Sequence, residues 1–204
     1  MRPDLEVVAA MVPAGSRVLD LGCGDGALLA HLIAERGCDG YGIEIDGDDV
    51  LACIAAGVPV SEGDIEDALR DFADGAFDVV LLSWTLQTTR RPAAVVAGMM
   101  RVAPVGIVSF PNFGHWRLRA ALALGGRMPN SPTLPQAWHD TPNIHMCTLA
   151  DFASLTASLN LHVSERVLLG PGRGPAGAAA RARPNLLAAA AVVRLERTAR
   201  AASA

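Results

Sequence analysis

Residues 18–26 read VLDLGCGDG, a short apolar run that ends in an acid and then breaks into glycines at three alternate positions. Val18, Leu19 and Leu21 suit a buried strand, while Gly22, Gly24 and Gly26 permit a tight turn with close backbone approach to a ligand. The following ALLAHLIAER (27–36) continues at helical spacing. A strand, a glycine-rich turn and a helix are therefore predicted, the opening unit of a nucleotide-binding α/β fold.

Glycine spacing does not identify the nucleotide. Gly22, Gly24 and Ala27 also satisfy the dinucleotide pattern G-x-G-x-x-G/A. Charge separates the candidates. Asp20, two residues before the first glycine, would repel a pyrophosphate at the end of the strand. S-adenosylmethionine (SAM) has no phosphate and presents an ammonium and a sulfonium, cations that a partly desolvated carboxylate stabilises. SAM or its demethylated product S-adenosylhomocysteine is the expected ligand, with Cys23 a small residue within the turn.

A chain of 204 residues suits one α/β domain and buries roughly 70% of its unfolded surface. All 17 basic residues are Arg, and the net charge of −4 argues against a general nucleic-acid binder. The late arginines Arg173, Arg181, Arg183, Arg194, Arg197 and Arg200 read as solvated loop and tail. Cys23, Cys38, Cys53 and Cys147 form no C-x-x-C pair, as reduced thiols would. No secretory leader and no apolar run of about 18 residues is present, so a cytoplasmic protein without membrane attachment is expected.

Further along, helices are predicted at 3–12, 48–57, 68–72, 92–101 and 148–159, and strands at 40–46, 58–61, 77–83, 105–110, 161–169 and 185–194. Thr148 with Asp151 is a capping-box pair. Alternating strands and helices imply a doubly wound parallel sheet, with ligands at the carboxyl ends of the strands. Residues 111–147 interrupt the rhythm with five prolines, Trp116 and Trp138, and read as a lid or partner-contact segment. Residues 170–184 (GPGRGPAGAAARARP) read as a flexible loop.

Glu44 closes the second strand about twenty residues after the first glycine, where a carboxylate accepts the hydroxyls of an adenosine ribose. Asp64, after the third strand, either accepts the adenine amino group or caps the following helix. Ile45 and Ile65 would flank the ring, and Ser83 ends the fourth strand beside the same cleft. His115, His139 and His145 supply either a general base or loop hydrogen bonds. Their spacing with Asp140 and Cys147 matches no common metal pattern, and no metal is expected. Asn112, Trp116, Arg117, Trp138 and Asn143 have the character of an interface centre, with core tryptophans as the competing reading.

Taken together, these segments resemble the class I SAM-dependent methyltransferase fold. RPDL (2–5), VLDLGCGDGALLAHL (18–32), YGIEID (41–46), SWTLQTTRRP (83–92), GIVSFPNFGHWRLR (106–119) and DTPNIHMCTLADF (140–152) are similar to the MetW family of methionine biosynthesis proteins. Departures fall at residues 103–105 and 170–184. The resemblance implies one domain over residues 1–204, with a mostly parallel seven-stranded sheet and an antiparallel final strand. It also implies a role beside homoserine O-acyltransferase (MetX) in the acylation of homoserine. That acylation needs a nucleophilic serine with a histidine and an acid. The chain contains no G-x-S-x-G elbow, so the acylation is expected to reside in the partner, with this chain as activator or regulator. Methyl transfer to a small molecule is the alternative, since it asks a protein mainly to align nucleophile and methyl group. Asp140 and His145 join the interface set as partner or substrate residues.

Overall fold

A computed structural model describes residues 2–197. Helix α1 (Pro3–Met11) opens with proline in its first turn, where a missing amide hydrogen costs nothing. It is followed by β1 (Arg17–Leu21), α2 (Ala27–Arg36), β2 (Asp39–Glu44), α3 (Gly47–Ala55), β3 (Val60–Glu62), α4 (Ile65–Asp71), β4 (Val79–Ser83), a 3-10 turn (Leu86–Thr88), α5 (Pro92–Val102) and β5 (Val105–Pro111). After β5 come α6 (Trp116–Gly125), α7 (Leu149–Ser158), β6 (Leu161–Leu169), α8 (Ala178–Ala182), α9 (Pro184–Leu187) and β7 (Ala190–Arg197). The sheet order is β3-β2-β1-β4-β5-β7-β6, and β7 runs antiparallel to both of its neighbours. That is the doubly wound sheet with one reversed strand expected from the sequence.

Alternation along the central strands divides the core in two. On β1, Val18 faces one layer, while Leu19 and Leu21 face the other. On β4, Val79 and Leu81 oppose Val80 and Leu82 in the same way. Val8 and Met11 of α1 and Leu28, Leu29 and Leu32 of α2 cover one face. Leu69 of α4, Val95, Val96 and Met99 of α5 and Phe152 of α7 cover the other. Strands buried on both sides must be apolar throughout, which explains the unbroken VVLL of β4.

The predicted capping box is present: Thr148 Oγ1 accepts from Asp151 N (3.2 Å), and Asp151 Oδ2 accepts from Thr148 N (2.9 Å). Three expectations are corrected. Residues 111–147, expected as a lid or partner-contact segment, contain the ten-residue helix α6, for which no helix was predicted. Residues 170–184 include α8 instead of forming a continuous loop. The last strand begins at Ala190, five residues later than the apolar run, because Asn185 belongs to the α9 turn that bridges into it.

Of the late arginines, Arg181, Arg183 and Arg197 are exposed as expected, whereas Arg194 and Arg173 are not. Arg194 Nη1 donates to Met11 O (2.9 Å), tying β7 to α1, and Arg173 stacks on Trp84. Arg200 lies outside the described residues. Among the described residues, no helix is long and apolar enough to cross a membrane.

Candidate functional site

The glycine turn needs its glycines for two separate reasons. Gly22, Gly24 and Gly26 all have left-handed φ, at 74°, 55° and 74°. A Cβ on Gly22 would also lie 2.7 Å from Thr85 Oγ1, and one on Gly26 would lie 2.8 Å from Cys53 Sγ. Gly26 is buried and N-caps α2, and it is not among the residues that line the two cavities described below.

Glu44 stitches this turn to the end of β2. Its Oε2 accepts from Gly24 N (2.8 Å), and its Oε1 accepts from Ile45 N (2.7 Å) and Asp46 N (3.1 Å). The side chain is 8% exposed and lines a cavity of about 450 Å³ together with Gly22, Ile45, Asp64, Ile65, Trp84, Arg90, Pro142 and Ile144. Asp64 caps α4 by accepting from Glu66 N (2.7 Å) while also lining this cavity, so the capping role is present.

A second cavity of about 670 Å³ shares Gly22 and Trp84 with the first. Arg2, Leu5, Asp20, Cys23, Gly24, Asp25, Asp49 and Ser83 line it. Ser83 is hydrogen-bonded to Ser109 through their hydroxyls (2.9 Å). Asp20 is only 2% exposed, and its Oδ1 has no hydrogen-bond partner. Burial, helped by the charge of Glu44, pushes the Asp20 carboxyl up to about 7. Such a group lacks a cation. Arg2 is the sole basic residue on a wall that holds three aspartates.

Sequence reasoning missed Arg2, Trp84 and Arg173. Trp84 joins the two cavities and holds a φ of 60°, a left-handed backbone that a bulky residue adopts only when its surroundings enforce it. The Arg173 guanidinium lies 4.4 Å from its ring centroid. The string SWTLQTTRRP marked the neighbourhood, but nothing local signalled the strain or the stacking.

The expected interface set separates into buried and exposed members. Trp116 (46% exposed) and Trp138 (72% exposed) are surface residues, which removes the core reading. Arg117, Asp140 and His145 are exposed and Asn143 is half-buried. Asn112 is corrected, since it is fully buried, while His115, expected as a partner or substrate residue, is 7% exposed and lines a separate cavity. The Asn112 amide is a four-way clamp, with Nδ2 donating to Asn185 O and Ala188 O and Oδ1 accepting from Gly114 N and Leu149 N. Asn112→Ala is expected to lower stability by roughly 2–4 kcal/mol, because it orphans buried backbone groups. Urea denaturation measures this, and a loss under about 0.5 kcal/mol would remove the clamp from the account.

The seven-strand order with β7 reversed, and a cleft at the carboxyl ends of β1, β2 and β4, define the class I SAM-dependent methyltransferase fold. Solved structures agree. A putative S-adenosylmethionine-dependent methyltransferase from Listeria monocytogenes superposes with a TM-score of 0.69 at 14% identity, covering 96% of this chain and 97% of that one. One from Mesorhizobium loti gives 0.68 at 19% identity, covering 94% and 96%. The family model described as methionine biosynthesis protein MetW matches residues 2–195, and the chain belongs to that family. The bifunctional methionine biosynthesis protein MetXA/MetW of Rhodopirellula baltica is 36% identical over 173 residues, which are 80% of this chain and 28% of that protein. A ubiquinone biosynthesis O-methyltransferase of Methylococcus capsulatus is 34% identical over 134 residues, 62% of this chain and 56% of its own length. The chain thus spans about a quarter to a half of these relatives.

Proposed function

We propose that this chain is a SAM-binding accessory protein that activates or regulates homoserine O-acyltransferase. The observation that carries the SAM half is the Asp20 carboxylate, buried without a partner in the wall of a cleft. The site residues fit the group. Asp20 faces an ammonium, Arg2 faces the carboxylate beside it, Glu44 takes ribose hydroxyls, and Ile45, Asp64 and Ile65 surround the base. SAM bound there would supply an activated methyl group to any acceptor that reaches it.

The partner half is supported by the surface between residues 116 and 146. Trp116, Leu122, Leu124, Met128, Trp138, Ile144 and Met146 are all exposed there. Exposed apolar side chains gathered in one stretch of chain are what an interaction site uses. A relative whose name joins MetXA to MetW supports the choice of acyltransferase as the occupant.

This surface also reaches the cleft. Ile144 N (2.8 Å) and His145 N (3.0 Å) donate to Gln87 O, while Pro142 and Ile144 line the first cavity. A partner that moves this strap changes the cavity. SAM and partner binding are therefore expected to be coupled by about 1–3 kcal/mol, each changing the affinity of the other by the same factor.

The test titrates this chain into purified acyltransferase at several SAM concentrations while following complex formation and acylation. Association with increased acylation is expected, and Trp116→Ala or Trp138→Ala should weaken association by about 2 kcal/mol, roughly thirtyfold, where the residue is a hot spot. A second reading, a SAM-dependent methyltransferase of small molecules, draws on the ubiquinone biosynthesis O-methyltransferase relatives. No association, together with SAM consumption in the presence of a small acceptor, would replace the first reading by the second.

A further inference from the structure

A separate cavity of about 180 Å³ lies between α6, residues 129–133 and the start of β7. Its polar wall contains His115, Arg117, Ser131 and Thr133, and its apolar wall includes Leu118 and Pro132. No carboxylate lines it, whereas the SAM cleft is lined by acids at both ends. In a chain of net charge −4, an acid-free pocket with an arginine at its rim selects anions.

The strongest sign of a ligand is His115. The residue is 7% exposed, and Nδ1 accepts from Arg117 N at the start of α6 (3.4 Å). That bond assigns the proton of a neutral imidazole to Nε2. The His115 ring lines the cavity. Burial and the charge of Arg117 lower the His115 pKa, so the ring is a neutral donor. The hydroxyls of Ser131 and Thr133 bond to each other (3.0 Å), and Ser131 Oγ also accepts from Leu134 N (3.1 Å). One of the two hydroxyl hydrogens satisfies the pair, and the other is free to donate.

We propose that this cavity binds a small carboxylate with a short apolar tail. The carboxylate meets Arg117, His115 Nε2 and a hydroxyl, and the tail packs on Leu118 and the prolines. Occupancy is transmitted to the SAM cleft through one turn. Pro171 lines the cavity and belongs to the turn 170–174, which is closed by Gly170 N to Gly174 O (2.8 Å) and Arg173 N to Gly170 O (3.0 Å). From that turn Arg173 stacks on Trp84, one of the two residues shared by both halves of the cleft. Arg173 and Trp84 both hold left-handed φ, at 64° and 60°. Two strained residues packed face to face form an element that a shift of a few tenths of an ångström at Pro171 would disturb.

Sodium butyrate is the probe, with butylamine as the cationic control, in nuclear magnetic resonance titrations of the full chain. Butyrate should shift the Thr133 amide and His115 ring signals saturably, with a dissociation constant on the order of millimolar for about six heavy atoms. Arg117→Met should weaken it roughly tenfold. Ala121→Phe, on the exposed face of α6 at the cavity mouth, should abolish binding by filling the space while leaving the other signals of the spectrum in place. In the same titration the Trp84 indole signal should move with the same midpoint.

Equal shifts with butylamine, no saturable shift with butyrate, or binding unchanged in both variants would overturn the site. Saturation at Thr133 with a stationary Trp84 signal would overturn the link to the cleft. None of these readouts requires SAM, so they are independent of the function proposed above.

Discussion

Asp20→Asn is expected to make the ligand-free protein more stable at pH 8 and a much weaker SAM binder. The carboxyl is buried without a partner, and its folded pKa is pushed up to about 7 from an ordinary 3.8. The folded protein therefore holds a proton that the unfolded chain releases. Stability is lost as pH rises between about 4 and 7, and above that range the full cost of burying the charge is present, roughly 4 kcal/mol by linkage. Asparagine removes that cost. The gain should be roughly 2–4 kcal/mol in urea denaturation at pH 8 and should vanish near pH 4.

Binding should move in the opposite direction. An ammonium needs the ionised form, so wild-type affinity should rise with pH and level off above about 7, with a proton released on binding below that point. In Asp20→Asn the pH slope should disappear, and affinity at pH 8 should fall at least tenfold, since a charge-assisted bond of about 1.5–3 kcal/mol is lost. Calorimetric titration in buffers of different ionisation enthalpy measures both effects. A flat wild-type profile with no proton release would show that Asp20 does not meet a cation.

Much of this site was legible because its signals are local. The turn from Asp20 to Gly26 states its own backbone, and Glu44 and Asp64 occupy the ends of strands that apolar runs located to within two residues. What stayed hidden depends on packing between distant segments. Helix α6 carries apolar residues on nearly every face, with Leu124 at 89% exposure, so no single stripe marked it. The boundary of β7 lies inside LLAAAAVVRL, a run without period, and is set by pairing with β5 and β6. Asn112 has an interface residue's chemistry and a core residue's position. Its four backbone partners lie 2 to 76 residues away, which no local pattern encodes. Arg2 and Arg173 were unreadable for the same reason: an arginine in a sequence carries no sign of which wall it will reach.

Glu44→Ala is expected to damage SAM binding more than any other single change at the cleft, because the residue has two tasks. As a ligand it offers carboxylate oxygens to two ribose hydroxyls, each bond contributing about 1.5–3 kcal/mol. As a positioning residue it accepts from Gly24 N, Ile45 N and Asp46 N, fixing the glycine turn against β2. Alanine removes both at once, and an affinity loss of about a hundredfold or more follows from the ribose bonds alone. Glutamine separates the tasks. Its carbonyl oxygen can replace one carboxylate oxygen, while its NH2 can only donate and would confront the amide hydrogens met by the other. Glu44→Gln should therefore recover part of the fold stability lost in Glu44→Ala but little of the affinity. Calorimetric affinities and urea midpoints for the two variants test the division. If Glu44→Gln bound SAM as tightly as the wild type, ribose recognition would have to come from elsewhere in the cleft. Equal stability of Glu44→Ala and the wild type would show instead that the turn holds its shape without the three bonds.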